Sequence, residues 1–167
     1  MSKKLILLDA YALIYRAHFA FIKNPRINSK GLNTSAIFGF CNSLLEVTNK
    51  FDPSHIGVVF DPPGGSDREG VFADYKANRQ EMPEDIRKAI PHIFDLLKAM
   101  NIKVEMEEGF EADDVIGTLA KQAEKKGFET YMMTPDKDFG QLVSDHIFIY
   151  KPGRSGNPSE ILGPKEV

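Results

Sequence analysis

Leu5-Ile6-Leu7-Leu8-Asp9 sets the fold: four consecutive apolar residues, a carboxylate, and then a helical pattern from Ala12 to Phe21. A strand with no polar alternation has no wet face, so it is buried on both sides, as in a parallel sheet. Four further short runs read the same way: His55–Phe60, the weaker Ile102–Val104, Glu129–Met133 and Ile147–Tyr150. Helical patterns lie between them. Ser35–Lys50 carries a stripe of Ile37, Phe38, Cys41, Leu44, Leu45 and Val47. Pro83–Met100 carries Ile86, Ile90, Phe94, Leu97 and Met100, with Pro91 expected to kink or split it. Asp113–Lys126 carries Val115, Ile116, Leu119, Ala120 and Ala123, with Gly127 as its C-terminal cap. This alternation predicts an α/β fold, a doubly wound, mainly parallel sheet with helices on both faces and right-handed crossovers.

The 167 residues suit a single domain, and 42% hydrophobic content is enough for a core. A lone cysteine, Cys41, excludes an internal disulfide and fits a reducing compartment. The apolar run after Met1-Ser2-Lys3-Lys4 is too short for a signal sequence or a membrane span, which points to the cytoplasm. Pro62 to Met82, rich in Gly, Pro and charge, is long for a connection and is expected to be a lid or arch.

The carboxylates fall in a pattern. Asp9 ends the first strand and Asp61 the second; Glu111, Asp113 and Asp114 follow the third strand and open a helix; Asp136 and Asp138 follow the fourth. Ligands of open parallel sheets sit beyond the carboxyl ends of the strands, so all four groups are expected on one edge. Hard oxygen donors at this density suit Mg²⁺ or Mn²⁺, and the four scattered His offer no zinc site. Two such ions, about 3.5–4 Å apart, would serve in-line attack on a phosphodiester. The net charge is −3; setting these seven carboxylates aside from the 24 acids leaves 17 against 21 Lys and Arg, or +4 elsewhere, which is compatible with a nucleic-acid partner.

Five motifs in order resemble the 5′→3′ exonuclease domain of bacterial DNA polymerase I, within the flap endonuclease family. They are Leu8-Asp9-Ala10 with Leu13-Ile14-Tyr15-Arg16; Val59-Phe60-Asp61; Tyr75-Lys76-Ala77-Asn78-Arg79; Gly109-Phe110-Glu111-Ala112-Asp113-Asp114-Val115; and Thr134-Pro135-Asp136-Lys137-Asp138. The resemblance runs from residue 4 to about 167. It implies a PIN-like fold and a divalent-metal-dependent 5′ nuclease that hydrolyses DNA at flaps or 5′-end junctions, as in repair and RNA-primer removal. Asp9, Asp61, Glu111, Asp113, Asp114, Asp136 and Asp138 would hold a pair of Mg²⁺ or Mn²⁺ ions in the complete domain, directly or through water. Lys76 and Arg79 would be catalytic, neutralising charge on the scissile phosphate. Tyr75 would stack on a base, and Arg16 would contact a phosphate, so Arg16, Tyr75, Lys76 and Arg79 form the DNA-binding set.

The chain departs from the family pattern in three places. Ala10 stands where the family usually has Gly. Asp67 and Gly70 stand where the arch often has Phe and Glu. The chain ends at Val167, before the family's Gly-Asp-x-x-Asp motif, its helix–three-turn–helix element and the polymerase portion. Residues 1–167 are thus expected to be the N-terminal metal-binding part of a 5′ nuclease domain, weakly active or inactive as given. A PIN-like ribonuclease and a catalytically silent DNA-structure binding fragment are the alternatives.

Overall fold

The computed structural model describes residues 3–63, 82–153 and 156–167. Six strands form one sheet: β1 (Lys3–Asp9), β2 (His55–Val59), β3 (Lys103–Glu105), β4 (Phe128–Met133), β5 (Ile147–Lys151) and β6 (Glu160–Leu162). Their order is β3-β2-β1-β4-β5-β6. The first five run parallel and β6 is antiparallel to β5. The expected doubly wound, mainly parallel sheet is therefore present.

The helices are α1 (Ala10–Ala20), α2 (Ser35–Phe51), α3 (Glu84–Ala99) and α4 (Ala112–Lys125), and a 3₁₀ turn spans Lys137–Leu142. Successive strand residues point to opposite faces. Ile6 and Leu8 accordingly pack with Val58, Tyr131, Met133 and Tyr150 under α1, α2 and α3. Leu7 points the other way, joining Val59, Met132, Ile147 and Ile149 under α4 and the 3₁₀ turn. Both faces being covered is why the strand sequences are apolar without alternation.

Three details differ from expectation. In α2 the buried line is Ala36, Phe40, Leu44, Val47 and Phe51, while Phe38 and Leu45 are exposed. Both lines have helical spacing, and packing against α1 and the sheet selects the first. Helix α3 runs unbroken through Pro91, which sits on its exposed side. A proline there costs one helix hydrogen bond without ending the helix. The short strand β6 was not anticipated. Gly127 does end α4, at φ +83°. Among the described residues no helix is long and apolar enough to cross a membrane.

Candidate metal centre

The strand order reverses between β1 and β4, the position where open α/β sheets leave a crevice at their carboxyl edge. Leu8 lies opposite Met133, so the next residues, Asp9 and Thr134, emerge side by side just past the ladder. The Thr134 hydroxyl donates to Asp9 Oδ2 at 3.0 Å, and Thr134 Oγ1 accepts the Asp136 backbone N–H at 3.1 Å. Asp136 Oδ1 in turn accepts the Asp138 N–H at 2.9 Å and opens the 3₁₀ turn. From the other side, β2 leads to Asp61, whose Oδ1 accepts the N–H of Ala112 at 2.7 Å. Ala112 is the first residue of α4, and the N-cap residue Glu111 makes no side-chain cap bond. Asp61 thus caps α4 from a different strand. Asp113 and Asp114 occupy the first turn of α4, where the helix dipole favours anions.

Asp9 is 8% exposed. Burial pushes its carboxyl from the usual 3.8 to about 7; the Thr134 hydrogen bond works against that rise, and the charges of Asp113, Asp61 and Asp136 add to it. Asp113 is also raised, by partial burial first and then by Glu111, Asp61 and Asp136. Five of the seven carboxylates, drawn from all four strand ends, therefore share one electrostatic environment. Asp114 and Asp138 are not among the causes of either shift. Asp114 lies about 100° around α4 from Asp113, so the two carboxylates leave the helix in different directions. Asp113, Asp114 and Asp138 line an adjoining groove of about 650 Å³ between α4 and the 3₁₀ turn, with Lys121 and Lys125 further along it.

Among the described residues, no three of these side chains close on a single point as a ready metal-holding group. Mutual repulsion opposes that closure when nothing neutralises it. The donor chemistry does fit a divalent cation: carboxylate oxygens only, one of them held against ionisation first by burial and then by its acidic neighbours.

Other expected residues fall elsewhere. Arg16, on α1, donates from its guanidinium to the Gly153 carbonyl in the β5–β6 connection. Tyr75, Lys76 and Arg79, with Asp67, Gly70 and most of the 62–82 arch segment, lie outside the described residues. Ala10 is fully buried at the start of α1, and its φ is not among the positive ones, so this backbone does not require the usual glycine.

Two residues beside the cluster were not anticipated. Thr134 is 1% exposed and joins Asp9 to the Asp136 loop. Tyr11, edge-on to Phe60 at 5.4 Å, has its phenol pushed up by burial and by Asp61. A hydroxyl immediately after a buried strand and one residue before a proline was the available sequence signal for Thr134. Tyr11 carried none.

Residues 4–167 match the family described as "5′-3′ exonuclease, N-terminal resolvase-like domain". The chain is 43% identical over 166 residues to DNA polymerase I of Bacillus subtilis, covering 99% of this chain and 18% of that protein. It is 40% identical over 150 residues to the 5′-3′ exonuclease of Aquifex aeolicus, covering 90% of this chain and 51% of that protein. It therefore spans about half or less of the length of these relatives. A solved structure of T5 5′-exonuclease with bound divalent zinc ions superposes with a TM-score of 0.69 at 17% identity, over 95% of this chain and 58% of that one. At that identity the likeness shows the fold.

Proposed function

Because the chain belongs to the family of 5′-3′ exonuclease N-terminal resolvase-like domains, we propose that it is the metal-binding part of a 5′ nuclease that hydrolyses DNA phosphodiesters at flaps or 5′-end junctions. One observation carries this reading: Asp9, Asp61, Asp113 and Asp136, from four separate strand ends, act on one another at the β1/β4 switch point. A structural role explains one carboxylate at a strand end. It does not explain a buried one whose carboxyl, raised first by burial, is pushed further up by three others.

Asp9, Asp61, Glu111, Asp113 and Asp136 would hold divalent cations, Mg²⁺ or Mn²⁺, with Asp114 and Asp138 reached through water. Such ions, when bound, supply a hydroxide nucleophile at neutral pH and stabilise the leaving oxygen. The protein's own part is to fix the donors. Asp61 is held by the α4 N-terminus, Asp9 by Thr134, and Asp136 by its own turn. Lys76 and Arg79, assigned on the family motif alone, would neutralise charge on the phosphate, and Tyr75 would stack on the junction base. Arg16 would bear on the strand through the β5–β6 connection that it holds.

The test is cleavage of a 5′-labelled flap DNA and of a single-stranded RNA in Mg²⁺ and in Mn²⁺, by this chain and by an Asp113→Ala variant. Cuts near the DNA junction that vanish in the variant support the proposal. Preferential cutting of the RNA overturns it, as does metal-free binding to the flap with no cutting in either metal when the same assay is run on the full-length protein.

A further inference from the structure

Asp9 has two carboxylate oxygens and, among the described residues, only one is held. Oδ2 accepts the Thr134 hydroxyl, and no described group donates to Oδ1. The same hydroxyl oxygen accepts the N–H of Asp136, so one buried side chain touches both sides of the switch point. Its neighbours leave it little freedom. Thr134 follows directly on Met133, the last residue of β4, its own N–H is bonded to the Tyr150 carbonyl at 3.3 Å, and Pro135 comes next. A β-branched residue in that position has restricted χ1, so the hydroxyl is aimed rather than searching. A hydroxyl offers one proton and two lone pairs, and here the proton goes to the carboxylate while one lone pair is used by the loop.

We propose that Thr134 is a positioning residue of the metal centre. It fixes the rotation of the Asp9 carboxylate so that Oδ1 faces the cation site, and it ties the Asp136 loop to β1 so that the two donors keep their separation. This rests on the metal-centre reading given above and adds a residue to it. Thr134 acts through Asp9 and Asp136, to which its hydroxyl proton and one lone pair are committed. A hydrogen bond that orients a metal-binding carboxylate characteristically changes affinity about 10–100-fold when lost.

The experiment is Mn²⁺ binding, followed by electron paramagnetic resonance of free Mn²⁺, for the 167-residue chain and for Thr134→Val and Thr134→Ser. Denaturation midpoints in EDTA are measured alongside. Valine keeps the shape and removes the hydroxyl; serine keeps the hydroxyl. The expected result is at least about tenfold weaker binding in Thr134→Val and near-complete recovery in Thr134→Ser. Two results overturn the proposal while leaving the metal centre standing: Thr134→Val binding Mn²⁺ as tightly as the parent, or Thr134→Ser binding as weakly as Thr134→Val. A lowered EDTA midpoint with unchanged Mn²⁺ affinity belongs with the first of these, showing Thr134 to be a packing residue only. A parent chain that binds no Mn²⁺ overturns the positioning role and the metal centre together.

Discussion

Replacing Asp9 with Asn should stabilise this protein in the absence of divalent ions, and the gain should grow with pH. Asp9 is buried, and its carboxyl is raised from 3.8 to about 7. That displacement corresponds to about 4 kcal/mol held against the ionised form. The unfolded chain loses this proton near its usual value and the folded chain only near 7, so between the two the folded state binds more protons. Stability therefore falls as pH rises through this window, and the full loss is present above it. Asparagine has nearly the same shape, accepts the Thr134 hydroxyl through its carbonyl, and carries no charge at any pH. The difference in unfolding free energy between Asp9→Asn and the parent should be about 3 kcal/mol more favourable at about pH 8 than at about pH 4.5. Guanidinium unfolding in EDTA at the two pH values measures it, and titrating groups not coupled to Asp9 cancel in the comparison. An Asp9→Asn effect that is equal at both pH values, or destabilising at the higher one, would refute the reasoning.

Divalent cations should reverse the preference: saturating Mn²⁺ should raise the unfolding midpoint of the parent at neutral pH and raise that of Asp9→Asn much less, which a thermal melt in each condition reads directly. Gly39→Ala should destabilise by about 1–3 kcal/mol, because a Cβ there would lie 2.4 Å from the Ala17 Cβ where α2 crosses α1. Helix propensity alone would favour that substitution by about 1 kcal/mol, so the sign measured in a denaturant titration separates close packing from propensity. Gly127→Ala should lose about 1 kcal/mol with no clash, since nothing lies within 4 Å of the added carbon and only the positive φ resists it. Gly127→Asn should lose less, and the same titration compares the two.

Legibility in the sequence followed how strongly each element is constrained locally. The run Leu5–Leu8 and the runs at 55, 128 and 147 are buried on both faces, so their composition alone marks them as inner strands. β6 is three residues on the sheet edge with Ile161 40% exposed, which leaves neither length nor periodicity to detect. The stripe of α2 was misplaced at Phe38 and Leu45 because two lines of the helix share the same spacing, and only tertiary packing chooses between them. The acidic cluster was legible because the strand ends are legible, and a parallel sheet delivers its strand ends to one edge. What each carboxylate does there was not. Asp61 turns out to cap a helix 51 residues away, and Asp9 is oriented by a hydroxyl 125 residues away. Asp113 and Asp114 are neighbours in sequence yet leave α4 about 100° apart. Such pairings depend on register and helix rotation, which single-sequence patterns do not carry.

The central claim is that the carboxylates at the carboxyl ends of β1 to β4 form a divalent-metal centre. Anomalous diffraction from crystals of this protein grown or soaked with Mn²⁺ tests it most directly. The account predicts Mn²⁺ peaks at the β1/β4 switch point, within ligand distance of Asp9 and of one or more of Asp61, Asp113 and Asp136. Crystals saturated with Mn²⁺ that show no peak at that edge, or peaks only elsewhere on the surface, would contradict it.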